Sequence, residues 1–481
     1  MRDSLMIPLA ITSIYLGTTC GTLWCLGRYR FHCREAEKNG RLLLLFASGH
    51  ALAVASLYLS GLSSGFFTMC AVMGFPLIGL VIWRLSRKTN FPGILNILYL
   101  GVLLSSVGLL MHYRVGLRGA RLMGLLKIHG GVPVAINMML FTLISLAGIS
   151  YCVFSGRIAK WLSWVEGKTY AYWGVVALIA LSVPLFTGFA VGRTKAWLLG
   201  SSFQVTEFGL KLLFPAFLAA FLHQHRKELS YPGYPAKEIG RILIVLLGLL
   251  SCYFFLPMML AKELGTPLII GLCLVATVTY ATGRWYIFPV GLLLLAMAMF
   301  GGTLVDSHIR ERVFGSWWEW ENYVRRVYTP GSSRLPGWQI SQIRALLESA
   351  LIYGRGLGQG NWGHISAIST DFAITPVLAE LGVVGLCLIL GCYLLFVYYG
   401  IPSSSERDFR RVLQAGTAVI LATQGCFNVI ANLGVVPLAG VPAPFISSGG
   451  SAAICNIILL GLLTELGRPR EIRLAGNGHS I

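Results

Sequence analysis

Long, uninterrupted apolar runs set the strongest limit on how this chain can fold. Thirteen of them recur along the 481 residues, and each is close to the roughly 20 residues that cross a bilayer as a helix. Only 12% of the residues are charged and the mean hydropathy is +0.72, whereas soluble domains carry about 25% charged residues. The sequence therefore predicts an all-α polytopic membrane protein and not a barrel, whose strands would alternate apolar and polar residues.

The spans can be placed from the ends of these runs. The first run has no small-residue cleavage signal, so we expect a retained helix and not a signal peptide. The predicted spans are 5–27, 41–61, 66–83, 92–112, 132–154, 171–191, 205–223, 239–260, 264–281, 284–303, 376–400, 411–432 and 447–466.

Basic residues between the spans predict the orientation. The loops after the first, third, fifth, seventh and eleventh spans each carry several of them, and the tail adds Arg468, Arg470 and Arg473. Because such loops stay cytoplasmic, the N-terminus is expected outside, the C-terminus inside, and the long 304–375 loop outside. One loop disagrees, since it would place Arg114, Arg118, Arg121 and Lys127 outside.

The net charge of +19 does not indicate nucleic-acid binding. The positive residues lie in short runs between apolar segments and form no basic domain. Such loops suit anionic membrane lipids or lipid-linked phosphates instead. The cysteines form no CxxC pair and lie mostly within apolar runs, so neither a disulfide framework nor a metal site is expected.

The long outer loop is the one extended segment that cannot span a membrane. Phe314 to Tyr328 carries three tryptophans among charges, which indicates an amphipathic surface helix or an interfacial aromatic belt. Ile340 to Tyr353 has helical spacing of apolar residues and predicts a second such helix. The following GRGLGQG lacks the strand and the Lys-Ser/Thr ending of a nucleotide loop and is expected to be a flexible turn.

Charged residues inside spans are functional candidates because burying them in a membrane is costly. Glu207 and Lys211 lie four apart on one helix, so they could pair with each other or contact a ligand. Glu380 lies near the start of the span after the outer loop. Thr370 or Asp371 could cap that helix, or could act on a substrate.

The stretch from Asn428 to Ser451 contains three prolines and four glycines, so we expect irregular backbone there. At membrane depth, such backbone is tolerated only where it is buried or lines a cavity. A helix is expected to open at Ser447, Ser448 and Ser451, with amides that could face an anionic group.

These pieces, in this order, resemble the SEDS family of bacterial cell-shape, division and sporulation proteins. The matching stretches lie between residues 92 and 466 and include FQVTEFGLK, GWQISQIRALLESALIYGRGLGQG, STDFAITPVLAELGVVG and FNVIANLGVVPLAGVPAPFISSGGS. The resemblance implies a ten-helix core, so residues 1–90 would be about three extra N-terminal transmembrane helices. It also implies a SEDS-like membrane domain over 91–470 and a cytoplasmic tail over 471–481.

The family polymerises lipid II into glycan outside the bacterial cytoplasmic membrane, with a class B penicillin-binding protein as transpeptidase partner. The resemblance therefore implies these partners, a location in that membrane, and no certain cofactor, although it leaves room for a divalent cation. Arginines of the outer loop would hold pyrophosphate, since guanidinium pairs well with phosphate. The implied substrate-binding residues are Lys195, Glu207, Lys211, Arg334, Gln339, Arg344, Arg355, Thr370, Glu380, Pro444, Ser447 and Ser451.

One departure from the family leaves the activity open. The family's catalytic Asp aligns with Ser332 or Ser333, and a serine hydroxyl cannot serve unaided as a general base. Either another acid substitutes, or the chain is a scaffold or regulator of a partner synthase. A third alternative is the handling of a different undecaprenyl-linked saccharide. The candidate substitute acids are Asp371, Glu319 and Glu321, with Glu348 also near.

Overall fold

The computed structural model describes most of the core and five positions near the N-terminus. Those five are Ser13, Tyr15, Leu16, Thr19 and Cys20, all helical. The other described residues are 65–89, 94–122, 131–187, 189–191, 194–198, 203–230, 235–256, 260, 265–305, 352–357, 359–360, 368–402, 408–436 and 440–468.

Helices dominate the described chain, as the apolar runs predict. In chain order they are α1 Gly65–Thr89, α2 Leu95–Leu122, α3 Gly131–Phe154, α4 Arg157–Glu166, α5 Tyr170–Thr187, α6 Val205–Gln224, α7 Arg226–Ser230, α8 Ala236–Leu250, α9 Gly265–Thr282, α10 Ile287–Val305, α11 Thr375–Gly400, α12 Phe409–Asn432 and α13 Gly450–Leu466. Among the described residues, eight helices are long and apolar enough to cross a membrane. The all-α polytopic fold is therefore confirmed.

The spans follow the sequence prediction closely. The closely spaced pair at 264–281 and 284–303 is two helices, α9 and α10, separated by a turn in which Gly283 has a φ of +68°. The second predicted span, 41–61, lies outside the described residues, and the first is represented only by its five helical positions.

Helix α2 extends into the basic loop that disagreed with the orientation rule. It continues as one helix to Leu122, ten residues beyond the apolar window that ends at His112. The backbones of Arg114, Arg118 and Arg121 therefore belong to a helical extension and not to a loop, while Lys127 lies outside the described residues. A helical extension does not change the side of the membrane on which these residues lie, so the thirteen-span orientation stays a prediction.

Two elements were not predicted from the sequence. A three-stranded antiparallel sheet, β1 Phe189–Val191, β2 Thr194–Leu198 and β3 Phe203–Gln204, connects α5 to α6. Helix α4 turns away from the end of α3 by 74°, at Gly156 with its φ of +73°. It buries Leu162 and Val165 while Trp161 and Trp164 stay exposed, as in a helix that lies at a membrane surface.

Helix α12 is at the centre of the bundle and packs against α11, α9 and α6. Its polar side chains Gln424, Asn428 and Asn432 recur every four residues and are all buried. Side chains at this spacing share one face of a helix. Helix α10, by contrast, is 6% buried over its apolar window, as expected of a helix that faces lipid.

Helix α11, which begins at Thr375, is broken about two turns later. Gly382 has a φ of +67° and a ψ of −159°, which is a glycine-only region. The carbonyls of Ala379 and Glu380 accept hydrogen bonds at 3.0 Å from the amides of Arg355 and Gly356. The GRG turn of the outer loop is therefore held against the break by backbone hydrogen bonds. Its flexibility stays a prediction. Because Ile352 and Tyr353 also lie in this turn, the helix predicted over 340–353 does not reach its expected end.

The proline- and glycine-rich stretch is irregular only in part. Helix α12 runs to Asn432, so the irregular backbone begins five residues later than the stretch as a whole. Helix α13 begins at Gly450, with Gly449 as its N-cap, which corrects the expectation that the helix opens at Ser447 and Ser448. We call residues 440–449 the re-entrant segment.

Candidate active site

The re-entrant segment and the end of the outer loop form one hydrogen-bonded cluster. Ser448 donates to the carbonyl oxygen of Ser369 from its amide at 2.7 Å and from its hydroxyl at 2.6 Å. The Ser447 hydroxyl donates to the carbonyl oxygen of Thr370 at 2.6 Å and accepts the amide of Ala443 at 2.8 Å. These bonds fix the backbone just before Asp371.

Two asparagines of α12 hold the same backbone from the opposite side. The Nδ2 atoms of Asn428 and Asn432 each lie 3.1 Å from the carbonyl oxygen of Asp371 and donate to it. Asn428 also donates to the carbonyl of Val441 at 2.6 Å, and Asn432 accepts the Thr375 hydroxyl at 2.9 Å. Asp371 is thereby joined through α12 to both the re-entrant segment and α11.

The Asp371 side chain is half-buried and faces the re-entrant segment. A methyl group at Gly440 would lie 3.9 Å from its Oδ2 atom. The expectation that Thr370 or Asp371 caps α11 is wrong, because the helix begins at Thr375 and its N-cap is Ile374. A role of this carboxylate on a substrate, the other expectation from the sequence, stays a prediction.

One hydrogen bond and one unusual backbone conformation shape the re-entrant segment from inside the bundle. The Tyr393 hydroxyl of α11 donates to the carbonyl of Pro444 at 2.7 Å. Phe445 has a φ of +66°, a left-handed conformation that is uncommon for a large residue. Strain of this kind persists only when surrounding contacts over-determine it, and it is enriched at functional sites.

A second cluster lies where α6 meets α13. Lys211 Nζ is 2.6 Å from Glu207 Oε2 and donates to Asn456 Oδ1 at 2.6 Å, with the Lys211 side chain fully buried. The lysine lies in a π-helical turn, Gly209–Leu213, that widens α6 at this point. The pairing expected from the four-residue spacing is confirmed, while a direct contact of this pair with substrate stays a prediction.

Ser451 links this second cluster to the re-entrant segment. Its hydroxyl accepts the amide of Gln204 at 3.2 Å, immediately before α6 begins. Ser451 is the second residue of α13, five residues ahead of Asn456. Helix α13 therefore contacts the residue before α6 through Ser451 and the Glu207–Lys211 pair through Asn456.

The other candidate residues are placed as follows. Glu380 is fully buried in α11 beside the Gly382 break, and the Arg355 side chain is exposed on the turn held against it. Lys195 lies in β2, and Pro444 lies in the re-entrant segment. Glu319, Glu321, Arg334, Gln339, Arg344 and the serines 332 and 333 lie outside the described residues, as do the tryptophans of 314–328.

Several residues of the site were missed from the sequence. Asn428, Asn432, Asn456, His112 and Tyr393 are all polar groups within apolar helices, and that property is the signal that could have identified them. Within the described ranges, no three His, Cys, Asp or Glu side chains lie close enough to hold a metal ion, and the described cysteines are free thiols.

The fold and the two clusters define a class: a polytopic helical membrane protein whose re-entrant segment and outer loop form a polar site. The chain belongs to the FtsW/RodA/SpoVE family of cell cycle proteins, whose model matches residues 94–471.

Individual relatives agree with this assignment. The chain is 30% identical over 356 residues to the peptidoglycan glycosyltransferase RodA of Mycobacterium tuberculosis, covering 71% of this chain and 72% of the relative. It is 24% identical to a probable peptidoglycan glycosyltransferase FtsW of Trichlorobacter lovleyi, covering 77% and 92%.

Solved structures share the fold. A variant of the rod shape determining protein RodA of Thermus thermophilus superposes with a TM-score of 0.50 at 18% identity, covering 79% of this chain and 98% of that one. A chain from a peptidoglycan synthase complex that coordinates polymerisation and crosslinking gives 0.50 at 19% identity, covering 78% and 98%.

Proposed function

We propose that the protein polymerises lipid II into peptidoglycan glycan strands at the outer face of the bacterial cytoplasmic membrane. Family membership and the glycosyltransferase relatives support the activity. The observation that carries the proposal is the anchored backbone of Ser369, Thr370 and Asp371, which four polar side chains from two elements hold in place.

The reaction joins two lipid-linked saccharides. A hydroxyl of the acceptor lipid II attacks the anomeric carbon of the growing glycan, and the bond from that carbon to undecaprenyl pyrophosphate breaks. The leaving group takes the electron pair, while the proton of the attacking hydroxyl passes to a general base, which must lie within hydrogen-bond reach. No redox step or cofactor is needed for this balance.

Among the candidate acids, Asp371 is the best supported acceptor of that proton. Its carboxylate is half-buried at the outer mouth of the bundle, and its backbone is held rigidly enough to orient it. Precise orientation of a reacting group lowers the barrier because less order must be created in the transition state. Glu319 and Glu321 of the outer loop are the alternatives.

The exposed Arg355 is the best placed described residue for binding pyrophosphate. Its backbone is bonded to the broken part of α11, so its position is fixed relative to Glu380. A guanidinium group can donate two parallel hydrogen bonds to two phosphate oxygens. It also stabilises the charge that develops on the leaving pyrophosphate. Arg334, Arg344, Gln339 and Lys195 would extend this surface, with Thr370, Ser447 and Ser451 shaping the pocket and Pro444 lining it.

The orientation and the partner belong to the same proposal. The N-terminus would lie outside and the C-terminus in the cytoplasm, which places Asp371 on the side where glycan is made. A class B penicillin-binding protein would crosslink the product, and a structural relative within a synthase complex supports such a partnership.

The test compares carboxylate variants in a lipid II polymerisation assay with purified protein. Asp371→Asn should lower the turnover number by about 100-fold or more, since general bases contribute about 10²–10⁴-fold. Glu319→Gln and Glu321→Gln are the matched controls and should stay within about threefold of wild type. A large loss in one of those two instead would transfer the role to it.

A wild-type protein that binds lipid II and never polymerises it, alone or with its transpeptidase, would favour a second function. The serines at 332 and 333, where the family has its catalytic Asp, are the observation behind that alternative. The protein would then be a scaffold that regulates a partner synthase.

A further inference from the structure

His112 is a buried imidazole that none of the steps above uses. It lies in α2 and is 8% exposed, and its Nε2 atom is 2.8 Å from the carbonyl oxygen of Ile446 in the re-entrant segment. A carbonyl oxygen can only accept a hydrogen bond, so Nε2 carries the hydrogen. The bond joins two parts of the chain that are 334 residues apart.

The approach of the re-entrant segment to α2 is very close. At Gly108, one turn before His112, a methyl group would lie 2.7 Å from the Cα atom of Ile446 and 2.8 Å from its carbonyl oxygen. A glycine is therefore required at this position, and the imidazole reaches Ile446 because no side chain at Gly108 intervenes. Ser105, Thr142 and Ser447 line the same cavity as His112.

The residues next to Ile446 carry the contact on to the candidate active site. Ile446 is followed by Ser447 and Ser448, whose three hydrogen bonds reach the carbonyls of Ser369 and Thr370. Phe445, just before Ile446, is in its uncommon left-handed conformation. A bond on Ile446 is therefore well placed to hold the strained part of the segment in register with residues 369–371.

We propose that His112 is a positioning residue: through its bond to Ile446 it sets the re-entrant segment and so orients Asp371 for proton transfer. This inference rests on the proposed function, since it concerns the geometry of the same reaction. His112 itself touches neither the substrate nor the reacting atoms in this account. Its role depends on a donated hydrogen bond and not on its basicity.

Two matched substitutions separate a hydrogen-bond donor from a side chain that only fills space. Glutamine places its amide Nε2 close to where the imidazole Nε2 lies, so His112→Gln can still donate to Ile446. His112→Leu fills similar volume without a donor. Turnover number, KM and lipid II binding are measured for both variants, together with melting temperature to confirm folding.

The proposal predicts that His112→Leu lowers the turnover number by about 10–100-fold, because a displacement of about 1 Å costs up to about 100-fold. Its lipid II dissociation constant should stay within about threefold of wild type, and His112→Gln should recover most of the rate. Gly108→Ala places a methyl group against Ile446 and should also lower the turnover number. Combined with His112→Leu, it should cause no further loss.

Three results would overturn it: an unchanged turnover number in His112→Leu, equal losses in the leucine and glutamine variants, or a further loss from His112→Leu in an Asp371→Asn background. If His112→Leu does not fold, His112→Met, a second residue of similar size without a donor, replaces it in the comparison with His112→Gln. A wild-type protein that makes no glycan contradicts the proposed function. A failure of the His112 inference appears only when the wild type is active, so the two failures are distinguishable.

Discussion

At the scale of single residues, burial decides how much each polar contact contributes. The Lys211–Glu207 pair is almost fully enclosed, with side-chain exposures of 0% and 5%, whereas the Arg241–Glu238 pair has 65% and 39%. Both are short, at 2.6 Å and 2.9 Å. Breaking a buried pair strands a charge in a low dielectric, while water screens an exposed one.

Lys211→Met should therefore lower the free energy of unfolding by about 3–5 kcal/mol, because Glu207 and the oxygen of Asn456 lose their donor. Arg241→Ala is the matched control and should change it by less than about 1 kcal/mol. Unfolding in detergent, followed by tryptophan fluorescence, measures both. Similar small losses in the two variants would show that the buried pair contributes little.

The amides on α12 allow a second comparison. Gln424 is fully buried, and neither its Nε2 nor its Oε1 atom has a hydrogen-bond partner among the described residues. Asn428, one turn further along the helix, donates to two carbonyls. An unsatisfied buried polar group costs about 1–3 kcal/mol. Replacing such a group with an apolar one should therefore not destabilise the protein. Removing a donor that is bonded leaves its acceptors unsatisfied and should destabilise it.

Gln424→Met should accordingly keep or raise the melting temperature. Asn428→Leu should lower it, because the carbonyls of Asp371 and Val441 lose a donor. Differential scanning fluorimetry on the two purified variants is sufficient. A marked fall in Gln424→Met would mean that its amide is satisfied by a group that binds there in the membrane.

At the scale of helices, the sequence predicts the elements and misses their irregularities. Apolar runs near 20 residues gave the spans, because a helix that crosses a bilayer must satisfy its own backbone. The break at Gly382 leaves no comparable signal, since Glu380 is the one charged residue of α11 and apolar residues continue on both sides of the break. It becomes visible only when the amides of Arg355 and Gly356 are found on the carbonyls of Ala379 and Glu380.

The break should depend on glycine at position 382. Gly382→Ala places a Cβ atom in a glycine-only backbone region and should cost about 1–3 kcal/mol of stability. Gly391→Ala, in the regular part of the same helix with open space around it, should be neutral or stabilising by about 0.5–1 kcal/mol. The melting temperatures of the two variants give the comparison, and equal values would contradict a required break.

The sequence predicted some residues of the candidate site but not the contacts between them. Thr370, Asp371, Ser447 and Ser451 could be singled out because they lie in distinctive stretches, but not their contacts. The bond from Ser447 to Thr370 joins residues 77 apart, and that from Lys211 to Asn456 joins residues 245 apart. Such pairings are set by how the helices pack, which periodicity along one chain does not specify.

At the scale of the whole molecule, the described part of the extra N-terminal region packs against the core. The apolar window of α2, expected to be the first core helix, is entirely buried. Helix α1 packs against α2 and buries part of it. The buried residues Tyr15, Leu16 and Thr19 line a cavity together with residues of α2 and α11. We therefore infer that α1 and the helical positions Tyr15, Leu16 and Thr19 are packed against the core and are not loosely attached to it.

The orientation of the molecule is open to a direct test in a cysteine-free background. Ser163, exposed on α4, should be cytoplasmic, and Val435, 55% exposed after α12, should lie outside. In intact cells, a membrane-impermeant maleimide should label Val435→Cys and leave Ser163→Cys unlabelled until the cells are opened. The reverse pattern would invert the topology and remove Asp371 from the outer face.

The most direct test of the central claim is the product that the purified wild-type protein makes from labelled lipid II in liposomes, with its transpeptidase present. We expect a ladder of glycan strands that grows with time and is digested by a muramidase. Bound lipid II that remains monomeric throughout, in a protein shown to be folded, would contradict the account.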